Sequence, residues 1–302
     1  IRNINAMDGV ANLTQPPIEP GETFIYKFPV NDAGTFWYHA HNKSWEQVSR
    51  GLYGALIVKD TSPIGFDKDI TIVADDWRLN KDYQFDEKSL GSIMDWSHQG
   101  RLGNWLTING KSNPKITIEE NSNVRLRLIN ASNARTFNFK FNNYKPDIIA
   151  LDGAPCSPFK KSSFKIAPAQ RIDFLIKIKD KNLNLFENST SKPYPTATFD
   201  IKNSSKTLNK VVNLINLKTW NKFPNINQVQ IIDIHMQGGA MGNLGSAVFE
   251  GEERSLRDLA QNEAKLWAFN GEIGGYGLAL ADVSLGDIMI LRVWNDTRWR
   301  HA

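Results

Sequence analysis

Cysteine is almost absent from this chain of 302 residues: Cys156 is the single one, and there are only five histidines. One thiol excludes an intramolecular disulfide and any zinc or iron–sulfur site that needs several cysteines. Methionine is also sparse, with five residues. A methionine-rich segment that binds soft metal ions is therefore not indicated, and we interpret His235 and Met236 as part of a plain loop.

Long apolar runs are missing as well. None reaches the ~18 residues that a membrane-spanning helix needs, so no membrane span is predicted. Residues 1–3 show neither the charged nor the apolar region of a signal peptide. The 36 Lys and Arg exceed the 32 Asp and Glu by only four, and they are dispersed. Dispersed charge of this size indicates solvated surface, so no nucleic-acid partner is expected.

Alternation of apolar and polar residues is the main secondary-structure signal. Four runs show it: Phe24, Tyr26, Phe28; Ile70, Ile72, Ala74; Val124, Leu126, Leu128; and Ile172, Phe174, Ile176, Ile178. Such runs between Gly, Asn and Pro turns predict an all-β chain of antiparallel sandwiches. One helix is predicted, over residues 252–264, where Leu256, Leu259 and Ala260 have helical spacing.

An internal repeat sets the expected number of domains. Residues 105–110 (Trp-Leu-Thr-Ile-Asn-Gly) and 121–130 are echoed by 267–271 and 286–295, and more loosely by 21–31. Three copies predict three related domains, and the third is expected to be incomplete, because its copy begins at residue 267 of 302.

The sharpest chemical signal is Gly-Thr-Phe-Trp-Tyr-His-Ala-His over residues 34–41. His39 and His41 are two residues apart, so in a strand their imidazoles leave the same face. Neutral imidazole binds Cu, Zn, Fe and Ni alike, so the pair alone does not select a metal. Two histidines on a strand can also be ordinary surface or core residues.

The residues around this pair narrow the interpretation. The features in question are Asp8-Gly9, Thr-Gln-Pro-Pro-Ile-Glu-Pro-Gly over 14–21, the His-x-His run, Gln47 and Arg-Gly-Leu-Tyr-Gly over 50–54. Together they resemble the first domain of the multicopper oxidases. That family includes laccases and bacterial cuprous oxidases. The resemblance implies tandem cupredoxin-like Greek-key β-sandwich domains. It also implies copper as cofactor, with one type 1 ion and a trinuclear type 2/type 3 cluster held by four histidine-rich motifs.

The resemblance also assigns roles to individual residues. His39 and His41 match the second motif, which gives one imidazole to each type 3 copper. Asp8 would lie beside the cluster, where a carboxylate orients water and relays protons; alternatively, Asp8-Gly9 only forms a turn.

His301 would be a type 1 ligand, because residues 295–302 resemble the approach to the third motif, with Ala302 at its usual proline. The first motif is expected immediately before Ile1, and the fourth, with the type 1 cysteine, is absent from the sequence. The chain is therefore interpreted as an internal piece of such an oxidase, with its first and third domains incomplete. The resemblance implies the rear of domain one over 1–62, domain two over 63–200, a linker with a helix over 201–264, and the start of domain three over 265–302.

Cys156 is not a good candidate for the type 1 thiolate, because a blue copper site needs two histidines beside the cysteine. The nearest histidines along the chain are His98 and His235. We predict a structural thiol at Cys156 and a structural loop residue at His98.

The implied function is a copper oxidoreductase that takes single electrons from a small reducing substrate and reduces dioxygen to water, while this piece alone is expected to be inactive. Phenols and low-valent metal ions both stay open as substrates. A periplasmic or secreted location follows from the resemblance only. A non-enzymatic cupredoxin-fold scaffold without copper is the alternative, because fold does not determine function. A two-domain copper nitrite reductase fits less well, since the repeat predicts three domains.

Overall fold

Strands dominate the computed structural model, which describes residues 4–60, 64–142, 144–179, 182–203, 212, 226, 229–274, 279, 281–284 and 286–301. Within these ranges the strands are β1 (Gly34–His39), β2 (Tyr53–Val58), β3 (Lys68–Trp77), β4 (Trp105–Ile108), β5 (Lys115–Glu119), β6 (Asn123–Asn130), β7 (Phe137–Phe141), β8 (Asp147–Leu151), β9 (Ala154–Lys160), β10 (Phe164–Ile166), β11 (Arg171–Lys177), β12 (Leu183–Glu187), β13 (Tyr194–Lys202), β14 (Gln230–Gly238), β15 (Ser246–Phe249), β16 (Glu252–Ser255), β17 (Trp267–Phe269) and β18 (Met289–Asn295). The helices are α1 (Ser44–Gln47), α2 (Ile93–Ser97) and α3 (Leu256–Asn262), with 3₁₀ turns at Asn5–Met7 and Glu87–Ser89. No helix in the described ranges is long and apolar enough to cross a membrane.

The chain forms two compact units. The first comprises Ile1–Gly91 and Arg101–Trp220, and the second comprises Ser92–Gly100 and Asn221–Ala302. The domain boundaries that the family resemblance implies divide the chain differently, and they stay predictions.

The core of the first unit lies between a six-stranded sheet, β4-β3-β6-β11-β8-β9, and a five-stranded sheet, β10-β7-β12-β13-β5. Phe137, Phe139 and Phe141 of β7 are buried, and the two residues between them are only partly buried. The ring of Phe174 from the other sheet lies 4.7 Å from Phe164 and 5.8 Å from Phe141. Period-two alternation therefore turns one face of each sheet into a shared apolar layer.

Three of the four alternating runs form strands, as predicted. They lie in β3, β6 and β11, although Ile178 lies one residue beyond β11. The run from Phe24 to Phe28 is not a strand, so that prediction was wrong. The rings of Phe24 and Tyr26 do share a side, 4.7 Å apart. Alternation creates a face, but a strand also needs backbone hydrogen bonds from a neighbouring strand. The hydrogen bond described in this run, from Lys27 N to Met7 Sδ, is to a side chain.

The predicted helix over 252–264 is shorter than expected. Its first four residues form β16, which pairs with β15, and α3 covers only Leu256–Asn262. The Ser255 side chain accepts a hydrogen bond from the amide of Asp258 at 3.2 Å. This N-cap fixes the start of the helix inside the predicted range.

The sequence repeat corresponds to a repeated three-stranded arrangement. β3 pairs with β4 antiparallel and with β6 parallel, and β14 pairs in the same way with β17 and β18. An Asn-Gly turn follows β4 and β17, with φ of 51° at Asn109 and 52° at Asn270. Each Asn Oδ1 accepts from a backbone N–H of the central strand at 2.7 Å, from Val73 in one copy and His235 in the other. The looser third copy, residues 21–31, contains no described strand.

The β1–β2 hairpin is attached to the large sandwich by a buried ion network. Thr35 of β1 donates to Asp173 Oδ1 at 2.6 Å and accepts from Arg127 Nη1 at 2.8 Å. Arg127, which is 2% exposed, also binds Asp69 at 2.7 Å, and Arg125 binds Asp173 at 2.5 Å. Charges removed from water are tolerated only with their partners in place, so the network fixes β1 against β3, β6 and β11.

Backbone packing is also close at this junction. A Cβ on Gly34 would collide with the carbonyl oxygen of Gly153, which lies between β8 and β9. Only glycine permits that approach of two backbones.

A second polar contact attaches the same hairpin to β3. The hydroxyl of Tyr53 donates to Asp75 Oδ2 at 2.5 Å, and Asp75 is 4% exposed. Burial raises the pKa of Asp75 to about 6, although the Tyr53 hydrogen bond opposes the shift. Burial also raises the pKa of Tyr53, and the charge on Asp75 adds to that effect.

Removing one member of the ion network should strongly destabilise the first unit. Asp173→Ala leaves Arg125 and Arg127 without this partner, which should cost about 3 kcal/mol in the free energy of unfolding. The matched control is Asp147→Ala, because Asp147 pairs with Lys160 at the surface and should contribute less than about 1 kcal/mol. Denaturant titration measures both variants; equal losses would contradict a special role for the buried network.

Asp75→Asn should affect stability in a pH-dependent way. The folded-state pKa of about 6 lies above the ordinary value of 3.8, so the folded protein favours the protonated carboxyl and ionisation costs stability as pH rises. Relative to wild type, Asp75→Asn should therefore gain stability between about pH 4 and pH 7, by at most about 3 kcal/mol. Unfolding curves of both proteins across this range test it; a constant difference would show that burial does not penalise the charge.

Candidate metal centre

The two histidines of the His-x-His run lie together at the end of the hairpin. His39 is the last residue of β1, and the ring of His41 lies 4.5 Å from its ring at an interplanar angle of 27°. His41 is beyond the strand, but pairing continues past His39 because the amide of Ala40 donates to Leu52 O at 3.1 Å. The structure thus brings both imidazoles to one side, and their role as metal ligands stays a prediction.

The surroundings of His39 favour its neutral form. Burial lowers the pKa of His39, and the neighbouring His41 lowers it further. A hydrogen bond to Ala40 O raises the pKa and so opposes part of this shift. Because a carbonyl oxygen can only accept, the 3.2 Å contact of His39 Nδ1 with Ala40 O assigns the ring proton to Nδ1. The lone pair of Nε2 is then free to bind a metal ion.

A cleft of about 600 Å³ brings further polar groups to the histidine pair. Asp8 and Gln15 line it together with Trp37, His39 and His41. Asp8 also ends the 3₁₀ turn, because its amide donates to Asn5 O at 3.0 Å and Gly9 follows with φ of 87°. The turn and the functional interpretation of Asp8 are therefore compatible.

Gln15 is a residue that the sequence did not single out beyond its place in the family resemblance. Its Oε1 is buried and has no hydrogen-bond partner in the described chain. A lone glutamine forms no pattern, so only the fold could show that it faces this cleft. A buried acceptor of this kind can accept a hydrogen bond from a group bound beside it.

The donor set of the cleft fits a copper ion, because imidazole nitrogens are suitable copper ligands and the Gln15 acceptor can hydrogen-bond to copper-bound water. It is a partial set. Across the described ranges, no group of three or more His, Cys, Asp or Glu side chains is arranged to hold a metal ion.

The third predicted metal ligand, His301, belongs to the second unit. Its ring meets Trp267 edge-on at 4.8 Å, and its Nε2 lies 3.1 Å from Thr297 Oγ1. Burial lowers its pKa. These contacts orient the imidazole, and its type 1 role stays a prediction.

The other histidines and the cysteine have structural surroundings. His235 is in β14 rather than in a loop, so that interpretation was wrong: its ring stacks on Trp294 at 4.2 Å. His98 follows α2, with Nδ1 2.8 Å from Ser97 Oγ. Cys156 is half-buried in β9 against the main apolar cluster, and burial raises the pKa of its thiol.

Family models described as multicopper oxidase match residues 1–63 and residues 68–210. A multicopper oxidase of Staphylococcus epidermidis is 32% identical over 223 residues, 70% of this chain and 48% of its own length. The chain thus spans about half the length of the curated relatives it matches.

Solved structures, among them one of a multicopper oxidase, are also similar to this chain. A multicopper oxidase from Pseudomonas thermotolerans is 28% identical with a TM-score of 0.71, over 78% of this chain and 57% of its own. Lac15, from a marine microbial metagenome, is 32% identical with a TM-score of 0.62, over 77% of this chain and 58% of its own. The predicted cupredoxin-like β-sandwich fold is confirmed. Because the two family models together match more than half of its residues, this chain belongs to the multicopper oxidase family.

Proposed function

We propose that this chain supplies copper ligands to an oxidase that couples one-electron oxidation of a small reducing substrate to the reduction of dioxygen to water. The observation that carries the proposal is the stacked pair of His39 and His41, which lines one cleft with Asp8. A scaffold protein that had lost copper would have no need for two stacked imidazoles at a cleft.

Each residue of the cleft has a separate task in this proposal. Copper held by His39 and His41 would supply the redox chemistry. Ala40 O holds the Nδ1 proton of His39, and the indole of Trp37, stacked 4.3 Å from the His39 ring, limits its rotation. The exposed carboxylate of Asp8 can take up or release a proton in the cleft.

His301 would serve the electron-accepting type 1 copper in the same enzyme. Phenols and low-valent metal ions are both compatible reducing substrates. A periplasmic or secreted location is part of the proposal and rests on the family resemblance.

Copper binding tests the histidine pair. His39→Ala and His41→Ala should each weaken Cu(II) binding by the metal-free protein about 10-fold or more, because each removes one of the two donors. The control is His98→Ala, which should bind as wild type, since His98 does not line the cleft. Calorimetric titration gives the affinities; equal weakening in all three variants would contradict the assignment.

The copper-loaded chain by itself should lack the intense blue band of a type 1 centre and should not consume dioxygen. A type 1 site needs a thiolate beside two imidazoles, whereas Cys156 is the single thiol and its side chain packs on the apolar core. The visible spectrum, and oxygen uptake with a phenol or a cuprous donor, test this. Robust turnover would show that the chain contains a complete set of copper sites.

A further inference from the structure

Aromatic rings form a series on one face of the hairpin, and the series starts at the histidine pair. The His39 ring lies 4.5 Å from His41 and 4.3 Å from Trp37, stacked on both. The Trp37 ring lies 6.4 Å from Tyr53. The hairpin register causes this, because His39 is opposite Tyr53 and Trp37 is opposite Ala55, so the three rings share one face.

The series ends at a buried proton acceptor. Tyr53 donates its phenol proton to Asp75 Oδ2 at 2.5 Å, and Asp75 is only 4% exposed. A phenol is oxidised readily only if its proton leaves with the electron, and a hydrogen-bonded carboxylate can take that proton. Tyr53 therefore has a neighbouring indole, Trp37, that can receive its electron and a carboxylate, Asp75, that can accept its proton.

We propose that Trp37 and Tyr53 form a relay that carries oxidising equivalents away from the histidine pair, with Asp75 as the acceptor of the Tyr53 proton. Trp37 gives up one electron to a one-electron oxidant, which copper held at the pair would generate with hydrogen peroxide, and regains one from Tyr53. The Tyr53 O–H bond breaks, and its proton forms an O–H bond on Asp75. The products are a neutral tyrosyl radical, a protonated Asp75 and an oxidant reduced by one electron.

A one-electron reductant of the ascorbate or phenol class resets the relay, because its electron restores Tyr53 while Asp75 returns the proton. The relay removes oxidising equivalents that would otherwise attack the imidazole rings. It rests on the proposed function for its oxidant alone; the electron path itself belongs to the metal-free protein.

The chain offers a matched control pair. Tyr83 and Trp105 have ring centroids 6.2 Å apart, nearly the separation of Tyr53 and Trp37, but Tyr83 is 73% exposed. Tyr83→Phe therefore removes a tyrosine next to a tryptophan without touching a buried phenol–carboxylate contact.

Pulse radiolysis of the metal-free protein tests the path. Azide radicals oxidise tryptophan, and intramolecular transfer then appears as decay of the tryptophyl absorption with growth of the tyrosyl absorption. The chain has nine Trp and seven Tyr, so variants are compared with wild type. Tyr53→Phe should remove the fastest tyrosyl phase, Tyr83→Phe should leave it, and Asp75→Asn should slow it several-fold.

Deuterium oxide should slow the same phase in wild-type protein, a test that does not depend on any variant folding. A fast phase that survives Tyr53→Phe, or one unaffected by both Asp75→Asn and deuterium oxide, would overturn the relay.

A second experiment tests whether the electron path starts at the histidine pair. Copper-loaded protein treated with hydrogen peroxide and frozen should give a tyrosyl radical signal by electron paramagnetic resonance in wild type and Tyr83→Phe, but not in Tyr53→Phe. Mass spectrometry should find several-fold more oxidised His39 and His41 in Tyr53→Phe. Equal histidine oxidation in all three proteins overturns the protective role. Failure to bind copper overturns the proposed function, whereas the radiolysis of the metal-free protein still tests the electron path.

Discussion

The buried ion network around Asp173 is the interaction on which the geometry of the cleft depends. Thr35 and His39 lie on one short strand, so the anchoring of Thr35 by Arg127 and Asp173 also sets where the imidazoles lie. The hairpin carries few buried residues of its own, and its Thr35 and Tyr53 hydroxyls donate to two buried acids of the large sandwich, Asp173 and Asp75. The position of the histidine pair is thus fixed by the neighbouring sheet rather than by the hairpin alone.

Much of the fold could be predicted because β3, β6 and β11 are long and carry apolar residues at alternate positions. The alternating residues of β3, β6 and β11 report burial directly, and the Asn-Gly turns mark where two equivalent strands end. The failures have physical causes. Residues 24–28 alternate, but no partner strand is described for them. The N-cap Ser255 starts α3 later than residue 252, where the helix was predicted to begin. His235 lies between residues that read as a loop, yet β18 pairs alongside it.

The candidate site was predictable only in part. Spacing alone places His39 and His41 on one side, because strand geometry is local. Gln15, Tyr53 and Asp75 gave no local signal, since their importance comes from contacts formed by folding. Thr35 and Asp173 are 138 positions apart, and no periodicity connects them. Sequence motifs thus identify donors, whereas the groups that orient those donors become visible only in three dimensions.

The repeated Asn-Gly turns have a consequence for the chemical ageing of the protein. In each copy the Asn amide nitrogen donates to a carbonyl of the central strand, from Asn109 to Thr71 and from Asn270 to Asp233. Asn-Gly is the dipeptide most prone to deamidation, which would replace that donor with a carboxylate oxygen facing a carbonyl oxygen. The same side chain fixes the turn and the adjoining strand, so one such event would loosen both. Because one turn lies in each compact unit, deamidation at the two sites would report local opening of each unit separately.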